Sequence, residues 1–112
     1  MLSKKYRFHS RGGVKYTYKH GKTIRTPKIS LVYNENARGH IRCAVVVSKK
    51  VEKTAVARNR IRRRVYEAIR LELPNFPERR DYIFVIYASE IMTIDFDELR
   101  KLIHSLFTQC MV

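Results

Sequence analysis

The stretch KKVEKTAVARNRIRRRVYEAIR (residues 49–70) holds nine Lys or Arg in twenty-two positions, opposed only by Glu52 and Glu67. Its apolar residues nevertheless keep a helical beat. At about 100° per residue, Ala57, Ile61, Val65, Ala68 and Ile69 fall within one arc of roughly 120°. Asn59, Arg60, Arg63, Arg64, Tyr66 and Arg70 fill the rest of the wheel. Thr54 offers an N-cap hydroxyl, and Pro74 stops the helix just after Leu73. The pattern predicts one amphipathic helix with a core stripe and a broad guanidinium face. A solvated face is the ordinary fate of a charge run. Here, Arg residues three and four apart repel by about 0.2–0.5 kcal/mol per pair, and few nearby acids relieve them. A polyanion would relieve them, and Arg is the side chain that grips phosphate bidentately.

The flanks supply the rest of a small domain. Residues 40–48 (HIRCAVVVS) read as an apolar, central strand. Residues 28–34 alternate Ile29, Leu31 and Tyr33 against Ser30, Val32 and Asn34, which is strand spacing. With turn residues at 34–39 between them, the two segments predict a β-hairpin. Residues 22–27 hold a brief strand interrupted by Pro27. Residues 14–20 predict a short helix with Val14, Thr17 and Tyr18 on one side and Gly21 as C-cap. After a connector at 74–80, residues 81–89 (DYIFVIYAS) are nearly all apolar, as in a buried strand. Asp95 or Thr93 caps a closing helix striped by Phe96, Leu99, Leu102, Ile103, Leu106 and Phe107. The whole predicts a single-domain α+β sandwich around one sheet.

At 112 residues and 45% hydrophobic, the chain is large enough for one packed core, and its net charge of +14 points to RNA, DNA or an anionic membrane. That charge is unevenly placed: residues 1–70 hold 20 Lys/Arg against 3 acids, whereas residues 71–112 hold 4 against 7. A polyanion therefore meets the first two-thirds, and the last third closes the core. Near the N-terminus, Tyr6 and Phe8 sit among Lys4, Lys5, Arg7, His9 and Arg11, a mixture that suits single-stranded nucleic acid. A basic tail whose Phe8 docks on the core is the plainer alternative. Cys43 and Cys110 lack metal-ligand spacing and read as free thiols. No apolar run reaches the ~18 residues of a membrane span, so the expected location is the cytoplasm.

Catalytic groups are hard to assemble. His9, His20, His40 and His104 share no ligand spacing, and Gly12-Gly13 stands alone as a glycine pair. A metal-dependent nuclease needs convergent carboxylates, and the basic two-thirds offers only Glu35, Glu52 and Glu67. These residues describe a binder.

The basic segment resembles the bacterial ribonuclease P protein family, which carries a strand ending in V-S-K-K and then a helix of the form A-V-x-R-N-x-x-K-R. Here the chain reads Val47-Ser48-Lys49-Lys50, then Ala55-Val56-Ala57-Arg58-Asn59-Arg60-Ile61-Arg62-Arg63. The resemblance extends to Lys5-Tyr6-Arg7-Phe8, Lys19-His20-Gly21, Asp81-Tyr82-Ile83 and the closing helix. It implies the order α-β-β-β-α-β-α, with a left-handed β-α-β crossover like that in the second domain of a ribosomal small-subunit protein. It also implies a protein that binds a catalytic RNA, one copy per RNA. Such a protein helps that RNA remove the 5′ leader of precursor tRNA. The Mg²⁺ belongs to the RNA; the protein has no cofactor of its own and no membrane partner.

Position by position, the resemblance makes Ser48, Lys49, Lys50, Lys53, Arg58, Asn59, Arg60, Arg63 and Arg64 contacts to the catalytic RNA. It puts Phe8, Val14, Tyr18, Val32, Tyr33, Arg62 and Tyr66 along a cleft for the single-stranded leader. The chain departs from the family pattern at Val14 (usually Phe), Glu52 (Gly), Tyr66 (basic) and Tyr87 (Arg). Tyr16, Tyr33 and Tyr66 are the substitutes for the stacking surface lost at Val14. A general RNA-binding module, ribosomal-protein-like or chaperone-like, is the alternative that shares the charge and the helix.

Overall fold

The computed structural model describes residues 7, 11–36, 41–75 and 80–110; Phe8 lies outside them. Helix α1 (Arg11–His20) leads into strands β1 (Lys22–Arg25), β2 (Ile29–Glu35) and β3 (Arg42–Val47). Helix α2 (Ala55–Glu72), strand β4 (Arg80–Ile86) and helix α3 (Phe96–Cys110) follow, with 3-10 turns at Leu73–Asn75 and Ser89–Met92. This is the expected order, α-β-β-β-α-β-α.

The strand neighbours correct the sequence reading. The sheet runs β1-β2-β4-β3, so β2 and β3 form no hairpin and β3 is not central. β4 is inserted between them, antiparallel to β2 and parallel to β3, with α2 as the crossover. The physical reason lies in its side chains. Tyr82, Ile83, Phe84 and Ile86 are all buried, and only a central strand covers both faces of such a run. The hairpin is instead β1–β2, paired from Lys22↔Tyr33 to Arg25↔Ser30. Thr26 and Ile29 close it: the Thr26 amide donates to the Ile29 carbonyl at 3.2 Å, and the Ile29 amide donates to Thr26 Oγ1 at 3.2 Å. Among the described residues the outer edge of β3 meets one isolated bridge, Arg7↔Cys43.

Local signals set three helix ends where the sequence placed them, while α1 begins at Arg11, three residues before the predicted start at Val14. Thr54 is extended (φ −88°, ψ 143°) and its hydroxyl accepts from the Ala57 amide at 3.2 Å, capping α2. Asp95 caps α3, its carboxylate accepting from the Asp97 amide at 3.4 Å. Gly21 ends α1, donating to the Thr17 carbonyl at 2.7 Å. A Cβ there would sit 2.5 Å from the Thr17 carbonyl oxygen and 2.6 Å from that of Tyr33, so α1 can turn this close to β2 only on glycine.

Pleating gives the sheet two faces. Ile29, Leu31, Cys43, Val45, Val47, Tyr82, Phe84 and Ile86 join the main core with Ile61, Val65, Ala68 and Ile69 of α2 and Leu99, Ile103, Leu106 and Phe107 of α3. Phe107 meets Tyr82 and Phe84 edge-on, with ring centroids at 5.1 and 5.3 Å. Each fully buried Ile or Leu contributes about 1.5–3 kcal/mol. The other face is thinner: Val32, Ala44 and Ile83, with Val14 of α1 and the half-buried Val46 and Val85. Asp81 clasps one end of the sheet. It accepts from Arg42 Nε at 2.8 Å, Arg42 Nη2 at 2.7 Å and Asn36 Nδ2 at 2.8 Å, fixing the β3–β4 register through a bidentate, largely buried pair.

Candidate nucleic-acid interface

The loop between β3 and α2 is folded by its own backbone. The Ser48 carbonyl accepts from the Val51 and Glu52 amides at 3.1 and 3.3 Å. Arg58 reaches back from α2, its Nη1 donating to the Glu52 and Lys53 carbonyls at 3.0 and 2.9 Å. One predicted RNA contact is therefore also the residue that shapes the loop. The result presents Ser48, Lys49, Lys50 and Lys53 to solvent beside the first turns of α2.

Along α2 the cations divide by task. Arg60 and Arg63 are exposed, with Arg63 Nε donating to the Asn59 carbonyl at 3.4 Å. Asn59 Oδ1 accepts from Arg62 Nη1 at 2.6 Å, which pre-orients both side chains. Arg64 is half-buried and turned inward: Nη1 and Nη2 donate to the Ile91 and Ile94 carbonyls at 2.8 and 2.5 Å, tying α2 to the segment before α3. Arg70 is ion-paired with Glu67 at 2.5 Å. Among the described residues, Lys49, Lys50, Lys53, Arg60 and Arg63 form no ion pair with a carboxylate. They make the uncompensated cationic patch.

The residues assigned to a leader cleft do not all share one surface. Val14 and Val32 belong to the thin face of the sheet, where α1 packs on β2 and β4, and Tyr18 is one helical turn beyond Val14 on the same side of α1. Val32 is only 5% exposed and serves as floor, while Tyr18 is 44% exposed. Burial pushes the Tyr18 phenol above its usual range, and Tyr87 adds to the rise. Tyr33 and Tyr66 lie on the other face, in or against the main core. Tyr33 stacks on Tyr82 with centroids 6.3 Å apart, and the Arg80 guanidinium sits 5.3 Å over its ring. Tyr66 is 8% exposed; burial pushes its phenol up, against a backbone hydrogen bond at Val45. Its ring packs into the core and presents no face to a base, so it is no substitute for an aromatic at position 14. Tyr16 is exposed and its ring packs tilted against that of His20, with centroids 4.3 Å apart, on the side of α1 opposite Val14.

Val46, Val85 and the 49%-exposed Tyr87 were not gathered by the sequence reading. Strand alternation from Ile83 through Val85 to Tyr87 was the available signal. Cys43 and Cys110 are free and buried, and burial pushes the Cys110 thiol up to about 11. Among the described residues, no three His, Cys, Asp or Glu side chains converge as metal ligands.

The family model described as Ribonuclease P matches residues 2–111. The chain belongs to the ribonuclease P protein family. A ribonuclease P protein component from Chloroflexus aurantiacus is 39% identical over 89 residues, covering 80% of this chain and 65% of that protein. This chain thus aligns with less than two thirds of that relative's length. A ribonuclease P protein component from Roseiflexus castenholzii is 31% identical over 105 residues, 94% of this chain and 85% of the relative. Among solved structures, the RNase P protein from Thermotoga maritima superposes with a TM-score of 0.83 at 23% identity, covering 92% of this chain and 96% of that one. One from Staphylococcus aureus gives 0.80 at 20% identity, over 94% of each chain. Both share the mixed α+β fold described above.

Proposed function

We propose that this chain is the protein subunit of ribonuclease P. In this reading it binds the catalytic RNA and the 5′ leader of precursor tRNA and assists leader removal during tRNA 5′ maturation. The observation that carries the reading is the uncompensated patch of Lys49, Lys50, Lys53, Arg60 and Arg63 on the loop and helix that bear the family motif. Phosphates approaching that patch displace counterions and gain charge-assisted hydrogen bonds. Cleavage is assigned to the RNA and its Mg²⁺. The carboxylates beside the patch are Glu52 and Glu67, and Glu67 is held by Arg70, so these residues do not fit a protein-borne Mg²⁺ site. The protein's own work is to hold RNA. Positive charge next to the substrate lowers the Mg²⁺ that the complex requires.

The test is assembly with the matching catalytic RNA, measured across a salt series. Arg60→Ala and Arg63→Ala should each weaken assembly and lower the slope of log K against log salt by about 1 per lost phosphate contact. An unchanged slope and affinity in both variants would remove the patch from the interface. Assembly without any effect on leader cleavage would favour a general RNA-binding module.

A further inference from the structure

Arg58, Arg60 and Arg63 come from one cationic run, but their surroundings differ. Arg60 and Arg63 are exposed, whereas Arg58 is half-buried. Its Nη1 donates to two consecutive backbone carbonyls of the preceding loop, Glu52 at 3.0 Å and Lys53 at 2.9 Å. That loop has few other anchors. At its start, the Ser48 carbonyl accepts from the Val51 and Glu52 amides at 3.1 and 3.3 Å, and Val51 packs against the main core. At its end, the Thr54 hydroxyl caps α2. Between these anchors the peptide units of residues 52 and 53 point their carbonyls at one guanidinium. Among the described residues, Arg58 is the hydrogen-bond partner of both. Lys49, Lys50 and Lys53, the three exposed cations of the loop, lie on the backbone that this clamp holds.

A charge-assisted hydrogen bond is roughly twice as strong as a neutral one, and a loop ordered beforehand does not pay its ordering entropy when it binds. Shape, and not only charge, is therefore what this arginine supplies. We propose that Arg58 is a positioning residue for RNA binding: it pre-sets the loop of residues 48–54 so that Lys50 and Lys53 meet phosphate, and adds no phosphate contact of its own. This rests on the cationic-patch reading above. It separates Arg58 from Arg60 and Arg63, which the same motif places a few residues away on the exposed face.

The test is assembly of the full-length protein with the matching catalytic RNA, across a salt series, for Arg58→Ala, Lys53→Ala, Arg63→Ala and the two double variants that contain Arg58→Ala. Arg58→Ala should weaken assembly about 10-fold. In that background Lys53→Ala should cost far less than it does in the wild type, because a lysine on a loosened loop has already lost most of its contact. Arg63→Ala, on the helix, should cost the same in either background. In the free protein, Arg58→Ala should speed hydrogen exchange at the Val51 and Glu52 amides and leave the Val65 amide of α2 unchanged. Full multiplication of the Arg58→Ala and Lys53→Ala losses would make Arg58 an independent contact and overturn the positioning role. Unaltered exchange at the two loop amides, or wild-type assembly by Arg58→Ala, overturns it as well, with the patch intact. Wild-type affinity and salt slope in both Lys53→Ala and Arg63→Ala would overturn the patch and the positioning role together.

Discussion

Glu72 shows how much one side chain draws from its neighbours. It sits at the end of α2, 6% exposed, accepting from Arg100 Nη2 at 3.1 Å and bonded to His104 Nδ1 at 3.0 Å. Burial alone pushes its carboxyl up; the His104 and Arg100 hydrogen bonds outweigh that, and the net shift is downward. A carboxylate lowered in the folded state contributes stability above its unfolded pKa, which is lost as pH falls through the folded value. Urea midpoints measured from pH 7 to pH 3 should therefore fall more for the wild type than for Glu72→Gln. At pH 7 the variant should be less stable by about 1–2 kcal/mol, since Arg100 and His104 are themselves partly exposed. Parallel pH curves for the two proteins would show that Glu72 does not carry this linkage. At this scale the sequence was legible where the signal is local. The caps Thr54, Asp95 and Gly21 each act on backbone within a few residues. Tyr66 and Arg64 were not legible, because an inward-facing tyrosine and an inward-facing arginine on a basic helix are decided by what packs against them.

Helix α2 serves two surfaces, and the elements around it explain why both survive together. Its core stripe seals the sheet, while Arg60 and Arg63 remain exposed on the rest of its circumference. The two roles separate by mutation. Ile61 is fully buried, so Ile61→Ala should cost about 2–5 kcal/mol by chemical denaturation and leave the salt slope of RNA assembly unaltered in conditions where the variant is folded. Val56 is 68% exposed, and Val56→Ala should stay within about 0.5 kcal/mol of wild type. Equal losses at the two positions would contradict the assigned faces. The periodicity of α2 was readable because 3.6-residue spacing is carried by the element alone. The strand order was not. An alternating segment and an apolar one separated by a turn predict a hairpin, and nothing within residues 28–48 reveals that a later apolar strand inserts between them. The cleft met a related difficulty: the resemblance put both Val32 and Tyr33 in it, but adjacent strand residues point to opposite faces and Tyr33 faces Tyr82 and Arg80.

Across the whole molecule, charge is segregated along the chain while the core is shared by both parts of it. Residues 71–112, with a surplus of acids, supply β4 and α3, which fill the main core and back the sheet. The basic two-thirds supplies α1, the β3–α2 loop and the exposed face of α2. This division was legible in the sequence, because counting Lys, Arg, Asp and Glu along the chain needs no knowledge of the fold. The proposed role, assistance to an RNA-catalysed cleavage, is tested by precursor-tRNA processing at limiting Mg²⁺ with the matching catalytic RNA, with and without the protein. Faster release of a correctly trimmed 5′ leader is expected when both are present, with no cleavage by the protein alone. Unchanged cleavage under conditions where the protein is bound to the RNA would contradict it.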